Sequence, residues 1–245
     1  DIAFALGWKE PSRLSRIEQG RIEKPKRELI ESLAKAMRLK EEEKNSLLLA
    51  GSYIPNQQET DKAIAFVRKQ MQTWEYPGSM FDFTWKIFYS NNNMFIMYQI
   101  TPEERKYIDE ACPNLLDVHF NILYPKIQRD SPNEILPTKE YLTYILFRFR
   151  VQQQRRTREK WYIDLVQKLM DNELFREIWQ KTERMDEQLL GGDYSLRKVP
   201  NKQTPQGFLT HHFFATQLIF DPRFYTGWFV PADIETFSHY QTQKK

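Results

Sequence analysis

Apolar residues recur in two rhythms along this 245-residue chain, and the first is helical. Ile2, Ala3, Phe4, Ala5 and Leu6 lead to Gly7, and a second short run from Pro11 to Glu18 carries Leu14 and Ile17 before Gly20. This spacing predicts helix, turn, helix and stop. Gly7 suits the positive φ of a tight turn, Pro11 suits a first helical position where its missing N–H would be unpaired anyway, and Gly20 suits a left-handed C-cap. With Leu14 and Ile17 facing inward, Ser12, Arg13, Ser15 and Arg16 turn outward. Leu29, Ile30, Leu33, Ala34 and Met37 then repeat at helical spacing, and Leu47, Leu48 and Leu49 predict another helix ending at Gly51.

From Tyr53 to Thr60 the chain turns polar, with Pro55 inside it, which predicts an interdomain linker and a boundary near Thr60. Residues 1–60 are thus expected to form an all-α module and residues 61–245 a second domain. A helix is expected from Asp61 to about Trp74. After Pro77-Gly78 the rhythm becomes two-fold: Phe81, Phe83, Trp85 and Ile87 alternate with Asp82, Thr84 and Lys86, as on a half-buried strand. Asn91-Asn92-Asn93 signals a turn or helix cap. Several helices follow between Thr101 and Thr182, including one near Tyr141–Gln154 and one near Trp161–Met170. Gly207–Phe220 and Phe224–Val230, rich in aromatic and β-branched residues and separated by Asp221-Pro222, predict a hairpin. An early strand, intervening helices and late strands define an α+β class for the second domain.

Composition narrows the function only slightly. Hydrophobic residues make up 40% and charged residues 28%, ordinary for a globular protein. Aromatics reach 14%, enough to furnish either a core or a ligand pocket. Cys112 is the only cysteine, so no intramolecular disulfide forms, and no cysteine–histidine cluster has zinc-ligand spacing. No apolar run reaches the roughly 20 residues of a membrane span, and no secretory pattern opens the chain, so a soluble, cytoplasmic protein without membrane contact is expected. The net charge of +3 announces no polyanionic partner, but its distribution is informative. Between Lys9 and Arg27 seven basic residues face three acidic ones, whereas residues 1–60 as a whole hold eleven against ten. The excess is concentrated on the second short helix and the loop after it, where DNA phosphates would lie.

A helix fits the major groove, where hydroxyls bond several base edges and an arginine grips guanine through two parallel hydrogen bonds, which makes Arg16 the leading candidate for base reading. The run Leu14-Ser15-Arg16-Ile17-Glu18-Gln19-Gly20-Arg21, followed by Pro25 and an amphipathic helix, resembles the lambda-repressor-like (XRE-type) helix-turn-helix family. That resemblance implies double-stranded DNA as partner. It directs Ser12, Ser15 and Arg16 to bases, Arg13, Lys24 and Lys26 to phosphates, and gives Glu18 a structural role. It also implies a further helix ahead of the first motif helix, before Asp1. Pro11 departs from the family by replacing a base-reading polar residue. Proteins of this type match a two-fold dimer to paired half-sites, so a homodimer is expected.

Across residues 75–240 the chain resembles the ligand-binding domain of the MmyB-like transcription regulators, a PAS-like α+β domain. The match rests on Asp82, Trp85, Asn91, Leu165-Val166, Leu169, Phe175, Trp179 and Gly207. The family's His-Pro before that glycine is Thr204-Pro205 here. The resemblance implies an apolar pocket between sheet and helices for a small apolar, fatty-acid-like molecule, with Phe83, Trp85, Phe213 and Phe214 as candidate contacts. Phe208, His212, Phe214 and Phe220 share one strand parity and Phe213 the other, so these aromatics serve different surfaces. His119, His211, His212 and His239 come without a phosphate loop, nucleophile elbow, cofactor fingerprint or metal motif, which favours a binding protein over an enzyme. The alternative is a DNA-binding protein whose larger domain is an interaction scaffold, presenting Arg155-Arg156 and Arg158-Glu159-Lys160.

Overall fold

The computed structural model describes residues 2–7, 9, 12–22, 24–130, 139–185, 195–201 and 203–242, with backbone only at Arg13 and residues 128–130. Trp8, Glu10 and Pro11 lie outside the described residues, and with them the expected role of Pro11 at the helix start. The protein is of mixed α and β structure and divides into two compact units, Asp1–Ala63 with Gln217–Phe224, and Ile64–Thr216 with Tyr225–Lys245.

The first unit holds α1 (Ile2–Ala5), α2 (Ser12–Glu18), α3 (Arg27–Ala36), α4 (Glu41–Ala50) and the start of α5 (Gln57–Met71). Gly7 and Gly20 take φ values of 70° and 66°, as their places in the pattern require. Helix α2 ends in paired bonds from Gly20 N to Ile17 O (3.0 Å) and from Arg21 N to Arg16 O (2.9 Å), which satisfy two terminal carbonyls. Ile30, Leu33 and Leu48 form the core, with Leu6, Leu14, Ile17 and Leu47 packed on it. Met37 falls just beyond α3 and is exposed.

The expected linker is ordered by local chemistry. Asn56 accepts from Glu59 N at 2.9 Å while Glu59 Oε2 accepts from Asn56 N at 2.8 Å, so α5 starts at Gln57 within the polar stretch. Tyr53 donates its hydroxyl to Pro25 O. Arg27 donates to Ile54 O at 2.9 Å, Glu31 at 2.8 Å and Glu59 at 2.5 Å. A residue counted toward the basic excess is therefore spent inside the fold. The unit is also not built from residues 1–60 alone. Asn45, buried on α4, donates to Phe220 O at 2.9 Å, and Arg223 from the late segment joins the same cluster.

The second unit is a five-stranded sheet in the order β2-β1-β5-β4-β3, formed by β1 (Gly78–Asp82), β2 (Ile87–Ser90), β3 (Leu196–Pro200), β4 (Phe208–Gln217) and β5 (Phe224–Pro231). Helices α6 (Asn92–Met97), α7 (Pro102–Ala111), α8 (Leu115–Val118), α9 (Tyr124–Asp130), α10 (Lys139–Gln153), α11 (Lys160–Leu169) and α12 (Glu173–Thr182) lie between β2 and β3, and α13 (Ile234–Thr242) follows β5. The expected helices near 141–154 and 161–170 are α10 and α11. Leu142, Leu146 and Phe149 of α10, Leu169 of α11 and Phe175 of α12 make a buried cluster of apolar side chains.

The single strand expected over Phe81–Ile87 is instead a hairpin. Asp82 Oδ1 accepts from Thr84 N (2.9 Å), Thr84 Oγ1 (2.6 Å) and Lys86 N (3.1 Å), bending the chain where hydrophobic alternation alone predicts extension. Trp85 occupies the left-handed region at φ 68°, at a cost of about 1–3 kcal/mol that the Asp82 turn holds in place. Asn91 acts as the cap its position suggests. Its carbonyl accepts from Met94 N (3.0 Å) and Gly78 N (3.1 Å), and its amide donates to Tyr76 O (2.7 Å), joining the first residue of β1 to the start of α6.

Candidate functional site

In the second unit, β1, β2 and the late strands form one wall of a partly open cavity and α6, α7, α8 and α10 the other. Its volume is about 200 Å³. The wall is predominantly apolar: Phe81, Ile87, Phe95, Ile108, Ile145 and Phe229 carry most of its chemistry. Burying such surface without filling the space forfeits contacts on one side of every lining group, so an apolar ligand would recover them.

The candidate contacts divide. Trp85 lines the cavity, and its ring meets Phe149 with centroids 5.2 Å apart while its Nε1 donates to Gln152 at 3.0 Å. Phe213 also lines it, packed on Phe229 at 4.9 Å. Phe83 does not. It is buried elsewhere, against Trp161 at 6.2 Å and under the Arg156 guanidinium at 4.9 Å, because the Asp82 turn breaks the alternation that would have aligned it with Phe81 and Trp85. Phe214 points away from the cavity and is 52% exposed, since successive side chains of β4 leave opposite faces of the sheet. Phe213 and Phe214 could not both have served.

Of the polar groups in the wall, the sequence singled out only His119, and only as a histidine without a catalytic or metal motif. Tyr98, His119, Tyr141, Arg148 and Arg197 all reach it. His119 opens a π turn, His119–Leu123, an irregularity often found where a helix presents a functional side chain. Its Nδ1 donates to Leu115 O at 2.7 Å, and its Nε2 lies 3.4 Å from the Tyr141 hydroxyl. Burial, helped by the nearby Arg197 charge and opposed by the Leu115 bond, lowers its pKa to about 4, so the imidazole is neutral near pH 7. Asp82, beneath the hairpin, shifts the other way. Burial raises its pKa to about 6 against the pull of its three hydrogen bonds. The one signal for Arg197 in the sequence was parity: Arg197 and Val199 of β3 face inward while Leu196 and Lys198 face out. An arginine at an inward position hid the strand and marked the site together.

In the first unit, the face of α2 opposite Leu14 and Ile17 carries Ser12 and Arg16, both exposed, and Ser15, half-buried. The Arg13 side chain lies outside the described residues. Lys26 is exposed at the start of α3. Lys24, also exposed, has its Nζ 3.5 Å from Ser52 O and 5.2 Å from the centre of the Tyr53 ring. Of the five whose side chains are described, Ser12, Ser15 and Arg16 share a face of α2, and the lysines sit on the loop that follows.

Among the described residues no group of three metal-ligating side chains occurs, and no helix is long and apolar enough to cross a membrane. No protein-family model matches the chain, and no curated protein matches it in sequence.

Proposed function

We propose that this chain is a transcriptional regulator of the MmyB-like kind, in which α2 reads double-stranded DNA and a small, largely apolar ligand in the PAS-like second unit controls that reading. The observation that carries the proposal is the largely apolar cavity between sheet and helices. A core without a ligand role would fill this volume with side chains. Support for DNA binding comes from the outward face of α2, where Ser12, Ser15 and Arg16 are spaced to meet base edges, with Lys24 and Lys26 available to phosphates. Two copies would match paired half-sites about one DNA turn apart.

The chain is read as a binding protein rather than a catalyst. An interaction scaffold finds less support, because Arg156, within its proposed basic surface, stacks on Phe83 and donates to Gln152 O at 3.2 Å. A ligand governs DNA binding only through different affinity for two conformations, so occupancy must change operator affinity as well as stability. The test begins with a duplex selected from random sequence by the purified chain, followed by titration with the cavity emptied and refilled. A ligand-dependent shift in duplex affinity is the expected outcome. Cavity binding without any shift would leave the scaffold reading ahead, and sedimentation showing a monomer that protects one half-site would remove the dimer.

A further inference from the structure

Among the described residues, Arg197 is a buried cation without a counter-charge. It stands on the edge strand β3 in the cavity wall and is 8% exposed. Its guanidinium lies 4.8 Å from the centre of the Tyr141 ring and 5.6 Å from that of Phe213, held by ring faces on both. Its Nη1 is buried without a hydrogen-bond partner, and among the described residues no acidic side chain lines the cavity. The wall's other arginine, Arg148, has a partner in the Tyr144 hydroxyl at 3.2 Å. The neutral His119 neither adds charge nor removes it.

A buried carboxyl group in this position could take up a proton. Arginine has no such escape, because its guanidinium stays protonated throughout the range in which proteins are folded. The cost of burying it falls if an acceptor with negative charge enters, and the planar fork of donors matches a carboxylate. Aromatic faces stabilise the cation sideways but leave its N–H edge free to donate.

We propose that the cavity binds a monoanionic carboxylic acid with a compact apolar body, the carboxylate meeting Arg197 and the body filling the space among Phe81, Phe95, Ile108 and Phe229. This rests on the ligand-cavity reading above and gives that ligand a charge and a size. A cavity of roughly 150 Å³ accepts benzene, so about 200 Å³ suits a body of roughly eight to ten non-hydrogen atoms. That is a medium-chain or arylalkanoic acid, shorter than a membrane lipid's acyl chain.

The test is titration calorimetry on the full chain stripped of bound small molecules, with octanoate against octan-1-ol and 3-phenylpropionate against its alcohol. The unsubstituted protein is expected to hold each acid about ten- to a hundred-fold more tightly than its alcohol, the range of a charge-assisted hydrogen bond. Arg197→Gln should abolish that preference by weakening the acid alone, and Arg197→Lys should restore part of it. Equal affinity of acid and alcohol in the unsubstituted protein would overturn the carboxylate assignment while leaving the cavity as an apolar site. Failure of all four compounds to bind would overturn the cavity reading itself. Because the acid-to-alcohol ratio is measured first on unsubstituted protein, the result stands even if Arg197→Gln does not fold.

Discussion

Arg223 and Arg197 are both buried arginines, one in each unit, and both leave Nη1 without a hydrogen-bond partner, but only Arg223 meets carboxylates among the described residues. Arg223, fully buried, donates to Asp221 through Nε (2.9 Å) and Nη2 (2.7 Å), and the same Nη2 reaches Glu59 at 3.0 Å and Asn45 at 3.3 Å. Burial alone would lower its pKa, but the bonds to Asp221 and Glu59 raise it above the ordinary value. Burial likewise pushes Glu59 up, and its bonds to Arg223 and Arg27 more than reverse this. Here a charge buried by folding is answered within the chain, so it serves the fold. Arg197 meets rings and a cavity instead, with no carboxylate beside it among the described residues. Comparing the two teaches that burial of a charge says little about its purpose until the neutralising partner is found.

The sharpest way to break the comparison is to remove each arginine in turn. Arg223→Met leaves Asp221 and Glu59 facing each other in the core and should destabilise the first unit by about 3–5 kcal/mol, the usual cost of orphaning a buried charge. Arg197→Met orphans nothing and should be neutral or stabilising. Hydrogen exchange of α4 amides for the first unit and of β4 amides for the second measures each effect locally. Equal losses in both variants would erase the distinction.

Asp82 sharpens the same contrast, because it is a buried charge that can discharge itself. Its raised pKa near 6 means that it binds a proton in the folded chain before it would in the unfolded chain, so stability gains as pH falls from about 6 to 4. His119 and His211, both lowered to about 4 chiefly by burial, act oppositely: unfolded imidazoles take protons below about 6.5 while the folded ones stay neutral, and stability is lost. Asp82→Asn should therefore make the acid loss steeper between pH 6 and 4, by an amount on the order of 2–3 kcal/mol over the interval. A parallel pair of stability–pH curves would show that Asp82 stays ionised.

Arg16 offers a third arginine, exposed and without either solution. Arg16→Ala should cost about 1–3 kcal/mol at one base pair of the selected duplex and relax discrimination there, whereas Lys26→Ala should weaken selected and random duplexes alike. Equal losses on both duplexes for Arg16→Ala would reject base reading. The smallest effect expected is for Phe214→Ala. With its ring outside the cavity, both stability and carboxylate affinity should stay within about 0.5 kcal/mol of the starting protein. A larger loss of affinity, measured beside Phe213→Ala, would place Phe214 in the site after all.

Local chemistry made much of this molecule legible from residues alone. Gly7 and Gly20 adopt the positive φ that their positions call for, and α10 and α11 begin and end within two residues of expectation, because caps and 3.6-residue periodicity act over a few neighbours. Leu14 and Ile17 pack inward, which leaves Ser12 and Arg16 exposed. The hairpin at Asp221-Pro222 was visible too, as turn chemistry between two β-rich runs. Phe213 and Trp85, singled out for their aromatic type, line the cavity, whereas strand parity had placed Phe83 beside Trp85.

Other features were decided by partners far along the chain. The alternation from Phe81 to Ile87 describes a strand equally well until Asp82 collects three turn donors, after which Phe83 and Trp85 part company. The polar stretch before Thr60 reads as a linker until Glu59 is held by Arg27 and Arg223, the second of which is 164 positions away. Strand β3 is hidden because Arg197 stands at an inward position that periodicity reserves for an apolar side chain. Sequence by itself determined the helices, their caps, the turn glycines and the outward face of α2, all consequences of sterics and hydrogen bonds between near neighbours. Tertiary structure alone decided which buried charges are matched and where a cavity remains, since neutralisation and packing depend on side chains that only folding brings together.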